Sequence, residues 1–152
     1  MTTILPAIET HVSALRDVAI TLFDTMLQLP VVAREPQSER PRYELMAAVG
    51  YAGSCKGGVM LECRMEQAMD WCARLCGLTP PVSAEDARDG LGELCNILAG
   101  NFKPLLPAGS TLATPLVCEG TTQHRIFSGC ELAGSTELVD RGVSFRVSLF
   151  LG

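Results

Sequence analysis

Apolar residues change their spacing along this chain, and the order of the two spacings constrains the fold more than any other feature. Ile8, Val12, Leu15, Ala19, Leu22, Met26 and Leu29 step alternately by four and three, the period of one helix face. They predict a long amphipathic helix over residues 4–29 that stops at Pro30. Residues 33–41, rich in Pro, Arg, Glu, Gln and Ser, read as a loop. The period then drops to two: Tyr43, Leu45, Ala47, Val49 and Tyr51 alternate with their neighbours, Gly53-Ser54 offers a turn, and Val59, Leu61 and Cys63 return. That pattern is a hairpin. Helical spacing resumes over residues 65–75 and is closed by Gly77 and Pro80-Pro81. Ser83, followed by Glu85 and Asp86, is an N-cap with acidic residues in the first turn. The helix it opens should end near Lys103, because Pro104 disfavours helix at the residue before it. About 20 residues would be helical, roughly 30 Å in length.

Three strands close the chain: residues 111–119, carrying Pro115, residues 125–133, and residues 143–151. In the last, Val143, Phe145, Val147, Leu149 and Leu151 alternate cleanly after a turn at Asp140-Arg141-Gly142. Helices and strands thus come in groups, α-β-β-α-α-β-β-β, and do not alternate one by one. Grouping of this kind favours an α+β fold, a largely antiparallel sheet packed by two long helices and a short one.

Composition narrows the function classes. A chain of 152 residues with 47% hydrophobic content fits one domain spanning residues 1–152. A net charge of -5 with 12 Lys and Arg, and no basic run, lacks the electrostatic footprint of a nucleic-acid binder. Glu9 and Asp17 interrupt the N-terminal stretch, so no secretory signal is expected. No window approaches the roughly 20 apolar residues of a spanning helix, and no membrane insertion is expected. The seven cysteines are odd in number, scattered, and form no C-x-x-C pair. Most fall at apolar positions, where free Cys packs as a small hydrophobe. That usage points to a reducing, cytoplasmic setting. Cys72 and Cys76 could share a helix face and leave a redox or metal-responsive reading open, although His11 and His124 supply no ligand spacing.

The stretch from Asp89 to Lys103 carries the most chemistry. Leu91, Leu94, Cys95, Leu98 and Phe102 mark one side of a helix, while Asp89, Glu93, Asn96, Gly100 and Lys103 mark another. A carboxylate and a carboxamide therefore stand one turn apart on the side expected to face solvent. Asn96 and the glycines at 90, 92 and 100 all weaken a helix, each glycine by about 1 kcal/mol relative to Ala. Residues that oppose their own secondary structure suggest a role beyond packing; the plainer reading is that the glycines allow close helix contact. There is no G-x-S-x-G elbow, no G-x-x-x-x-G-K-[ST] loop and no G-x-G-x-x-G after a strand: Gly90-Leu-Gly92 has no third glycine. Catalysis, if any, rests on Glu93 and Asn96.

The run Asp89-x-x-x-Glu93-x-x-Asn96, continued by Ile97-Leu98-Ala99-Gly100-Asn101-x-Lys103 and a strand bearing Pro115, resembles the signature of the CheC, CheX and FliY phosphatases of bacterial chemotaxis. Within that group it is most similar to CheX. CheC-like members carry the Glu and Asn motif on both long helices, whereas here the first reads Leu22-Phe-Asp24-Thr25-Met-Leu27. The resemblance implies one active face per chain. The sequence departs from the pattern in a shorter interval between Asn96 and Pro115, and at Phe102, where a small residue is usual.

The resemblance further implies hydrolysis of the aspartyl phosphate of a CheY-like response regulator, whose own Mg²⁺ neutralises the phosphate oxygens, so the chain needs no cofactor of its own. Asn96 would hold a water in line with phosphorus, and Glu93 would pair with a lysine of the regulator. Asp89 would help to dock the partner, and Gly100 would let its surface approach. A homodimer joined along sheet edges is the implied assembly, with the apolar strand of residues 143–151 as an edge in need of cover. The alternative is a CheX-like binding module that docks a regulator or signalling assembly without turnover.

Overall fold

The computed structural model describes residues 8–35, 42–120 and 126–152. The first helix, α1 (Ile8–Leu27), is followed by a short strand β1 (Val32–Arg34) and the hairpin β2 (Leu45–Gly53) and β3 (Gly57–Cys63). Two helices follow, α2 (Met65–Cys76) and α3 (Ala84–Phe102), the latter ending in a tight turn over Lys103–Leu105. The chain closes with β4 (Ser110–Leu112), β5 (Leu116–Glu119), β6 (Glu131–Asp140) and β7 (Val143–Leu151). The architecture is the expected α+β arrangement.

All strands pair antiparallel in the order β1-β6-β7-β3-β2-β4, with β5 also paired to β2. Alternate residues of the central strands, among them Leu45, Ala47 and Val49, Val59 and Leu61, and Phe145, Val147 and Leu149, are fully buried. They share one apolar cluster with Leu15 and Phe23 of α1, Trp71 of α2, and Leu91, Leu94, Leu98 and Phe102 of α3. The helices therefore cover one sheet face. Three rings lock α1, α2 and β7 together: Phe23, Trp71 and Phe145 lie 4.8 to 4.9 Å apart by centroid, at distances where edge and offset contacts are favourable. The Trp71 indole N–H donates to the buried Asp140 carboxylate at 3.0 Å, so the ring is fixed at both ends.

Local chemistry sets the helix ends. At the end of α1, Gln28 takes the left-handed conformation with φ 56° and the Leu29 N–H turns back to donate to the Phe23 carbonyl at 3.0 Å, which stops the helix. The helix is thus two residues shorter at this end than its apolar period suggests; residues 4–7 lie outside the described residues. Gly77, at φ 65°, closes α2 as expected. The Ser83 hydroxyl accepts the Asp86 N–H at 3.1 Å and opens α3.

Four expectations change. Residues 32–34, read as loop or left unassigned, form the edge strand β1 on β6; residues 36–41 of the expected loop lie outside the described residues. The expected strand of residues 111–119 is two strands laid end to end along β2. Tyr51 pairs with Leu112 and Ala48 with Leu116, so Val49 and Gly50 face Ala113, Thr114 and Pro115, and the extra residue bulges. A proline without an N–H is tolerated there because it sits in the bulge of an edge strand.

The expected strand of residues 125–133 is shifted along the chain: residues 126–129 form a turn and the strand, β6, begins at Glu131 and runs to Asp140; Arg125 lies outside the described residues. Its pattern was obscured by Gly134, by an irregularity between Leu132 and Gly134, and by polar Ser135 and Glu137, which lie on the sheet face away from the core. Finally, β7 is central, paired to β6 on one side and β3 on the other. Its apolar edge is covered within the chain and gives no reason for a second copy.

Gly90 settles how closely α2 and α3 approach. A Cβ built on Gly90 would stand 2.7 Å from Cβ and Sγ of Cys72 and 3.1 Å from its Cα. The Sγ could rotate away, but Cβ and Cα are fixed to the α2 backbone and cannot. We expect Gly90→Ala to destabilise the protein by about 1–2 kcal/mol in urea unfolding, the overpacking penalty exceeding the gain in helix propensity; an unchanged or higher midpoint would show that the helices can part without cost.

Candidate functional site

The buried stripe of α3 decides what its other side presents. Leu91, Leu94, Cys95, Leu98 and Phe102 are at most 1% exposed, which fixes the rotation of the helix about its axis. On the opposite side Asp89, Glu93 and Lys103 are exposed and Asn96 and Gly100 are half-buried. The structure thus brings all four expected site residues, Asp89, Glu93, Asn96 and Gly100, to one face, spaced by four, three and four positions. Among the described residues, no hydrogen bond or ion pair engages the side chains of Asp89, Glu93 or Asn96. Glu93 offers two acceptor oxygens and Asn96 one acceptor and two donors, all free for a ligand outside the chain.

The glycines divide by role. Gly90 is the contact with α2 described above. Gly92 lies over β5, where a Cβ would sit 3.2 Å from Val117 Cγ2 and 3.6 Å from Pro115 Cβ; it brings the bulged edge close under the site. At Gly100 a Cβ would meet only Leu112 Cδ1, at an ordinary 3.7 Å. Internal packing therefore accounts for Gly90 and Gly92, whereas nothing among the described residues requires glycine at Gly100. Phe102, the departure noted in the motif, is 0% exposed. It fills the core and does not shape the outer face.

Two tertiary bonds that the sequence did not signal hold this helix to the sheet. The Tyr51 hydroxyl of β2 donates to the Ala99 carbonyl at 2.7 Å, fully inside the protein. The Cys95 thiol, next to Asn96 in sequence, lies 3.6 Å and 3.7 Å from the carbonyl oxygens of Ala47 and Val59. Arg88 adds an ion pair to Glu119 of β5 at the flank of the site. Sequence periodicity gave Tyr51 only as an inward strand residue. A contact between residues 48 positions apart leaves no periodic trace.

The cysteines separate in the same way. Cys72 is buried and its thiol donates to the Asp86 carbonyl at 3.1 Å, while Cys76 is exposed. Burial first, and then neighbouring Cys76, push the Cys72 thiol up to about 11, and burial pushes Cys95 up to about 12. Such thiols stay protonated at neutral pH and are poor nucleophiles or ligands. Cys72 thus serves the α2–α3 contact, and among the described residues no three His, Cys, Asp or Glu gather in a way that could hold a metal ion. Nor is any helix of the described residues long and apolar enough to cross a membrane.

Because Glu93 and Asn96 have no partners within the described structure, their removal should leave the fold intact. Glu93→Ala and Asn96→Ala are each expected to change unfolding free energy by no more than about 0.5 kcal/mol, as for surface positions without special contacts. A loss above about 1.5 kcal/mol in chemical denaturation would assign the pair a structural duty instead.

Comparison with known proteins bears on what this face does. Residues 45–129, from β2 through α3 to the turn before β6, match the family model described as chemotaxis phosphatase CheX. A search of curated protein sequences finds no match. Among solved structures, chemotaxis protein CheX from Vibrio vulnificus superposes with a TM-score of 0.76 and 18% identity, covering 97% of this chain and 99% of that one. CheX from Desulfovibrio desulfuricans gives 0.72 and 16%, over 94% and 99%. A chain of the Borrelia burgdorferi CheX–CheY–BeF3–Mg²⁺ complex gives 0.69 and 19%, over 93% and 97%. At such identities the structural likeness is one of fold.

Proposed function

The chain belongs to the CheX family of chemotaxis phosphatases, and we propose that it hydrolyses the aspartyl phosphate of a CheY-like response regulator. The observation that carries this reading is the joint exposure of Glu93 and Asn96 one turn apart on α3, opposite the buried stripe. A helix face of this kind can enter a partner's pocket. Support for the partner class comes from the Borrelia burgdorferi structure, which pairs a CheX with CheY, BeF3 and Mg²⁺.

The division of labour follows from the chemistry. Water attacks phosphorus, the bond from phosphorus to the aspartyl oxygen breaks, and the regulator regains its carboxylate as inorganic phosphate departs. Phosphoryl transfer is accelerated mainly by positioning and charge stabilisation. The phosphate's charge is offset by the regulator's own Mg²⁺, so this chain contributes geometry. Asn96 holds the water in line through its carbonyl and amide, and as a neutral group it brings no repulsion towards phosphate. Glu93 pairs with a lysine of the regulator and sets the depth at which Asn96 enters. Asp89, one turn before Glu93, extends the acidic contact, and Gly100 leaves room for the partner's surface.

The first test is the decay of a phosphorylated regulator. The protein should accelerate it, and Glu93→Ala and Asn96→Ala should each lower the acceleration about 10²-fold, the scale of lost positioning, with unchanged circular dichroism. Decay that is unaffected by the wild-type protein rejects the phosphatase reading, and tight binding that protects the phosphoryl group would favour a docking module. We further propose a homodimer. With β7 internal, the sheet edges that remain are β1 and the line of β4 and β5, and light scattering at micromolar concentration should give twice the chain mass; a monomer there rejects the dimer.

A further inference from the structure

Resting on the phosphatase reading, we infer that Tyr51 is a positioning residue for the reaction: its buried hydroxyl holds the turn of α3 that carries Asn96 at a fixed height above the sheet. The helix needs such a hold. Gly90, Gly92 and Gly100 bracket the reactive turn, and each lowers helix propensity by about 1 kcal/mol relative to Ala. Between Gly92 and Gly100, two side-chain bonds tie α3 to the strands beneath. Cys95, on the inner side of the same turn as Asn96, reaches the Ala47 and Val59 carbonyls through a weak thiol donor at 3.6 and 3.7 Å. Tyr51 makes the strong one, 2.7 Å to the carbonyl of Ala99, three residues and about 4.5 Å of helix rise beyond Asn96.

The geometry of that bond suits positioning better than stabilisation. The Ala99 carbonyl already accepts the Lys103 N–H, so it remains satisfied when the phenol is lost. What the phenol adds is a fixed distance between α3 and β2. Tyr51 is itself anchored, paired to Gly57 of β3 and to Leu112 of β4 at the point where the edge strand starts its bulge. Burial raises its phenol above the ordinary value, so the donor keeps its proton throughout the range in which the protein would work.

The conservative variant Tyr51→Phe tests this, since the ring still fills its place. Hydrogen exchange should accelerate about fivefold, the scale of one lost hydrogen bond, at the amides of residues 96–103 and not in α1 or α2. With a phosphorylated regulator, kcat should fall about tenfold, less than the 10²-fold that a full 1 Å displacement can cause. KM and the affinity for the regulator carrying a non-hydrolysable phosphoryl mimic should stay within about twofold, since the docking face is untouched. Unchanged kcat beside an active wild type overturns the positioning role alone, as does a loss confined to KM or exchange that rises evenly over the whole fold. A wild type without phosphatase activity overturns the parent reading and this role with it, while the exchange pattern still decides whether Tyr51 secures the turn.

Discussion

The closure of the α3 stripe over the sheet is the constraint on which the rest of this structure depends. Leu91, Leu94, Cys95, Leu98 and Phe102 are sealed beneath the helix, and burying five such side chains contributes roughly 1.5–3 kcal/mol for each large one. Any rotation of the helix that hid Glu93 and Asn96 would expose that stripe to water. The polar face is therefore held outward by the apolar face. Glu93 and Asn96, without partners among the described residues, remain available because the energy that orients them is spent on the other side of the helix.

The same economy explains residues that look unfavourable in isolation. Three glycines in one helix weaken it by about 3 kcal/mol relative to alanines. Two of the three are accounted for by neighbours: Gly90 receives Cys72 of α2, and Gly92 receives Val117 and Pro115 at the bulged edge. Tertiary hydrogen bonds from Tyr51 and Cys95 supply local order that the helix sequence lacks. Gly100 stands apart, since a methyl group would fit against Leu112. An internally unnecessary glycine beside Asn96 is consistent with a face that must admit another protein, as proposed for this CheX-family chain.

Away from the site, the sheet's other side carries a row of charged residues that hid one strand from pattern reading. Arg34, Glu137, Arg146 and Glu62 fall on successive paired positions of β1, β6, β7 and β3, an alternating row of charges with Arg34 and Glu137 in contact at 3.3 Å. Tyr43 lies against Arg146, with the guanidinium 5.4 Å from its ring centre, a cation–π distance. Opposite charges facing one another across strands stabilise a sheet, but to a reader of β6 alone they look like a solvated loop.

What the sequence determined by itself was whatever depends on neighbours along the chain: the helix periods, the Ser83 cap, the stop at Gly77, the alternation of β7, and the placing of Asp89, Glu93, Asn96 and Gly100 on one helix face. Each is written within a few turns or strand residues, where backbone geometry alone converts spacing into direction. Tertiary structure decided what depends on residues far apart: the edge strand β1, the interior place of β7, the bulge that accommodates Pro115, the separate duties of three similar glycines, and the Tyr51 bond to Ala99. Those outcomes follow from which surfaces meet when the sheet and helices close on one another, and spacing along a single segment carries no record of that meeting.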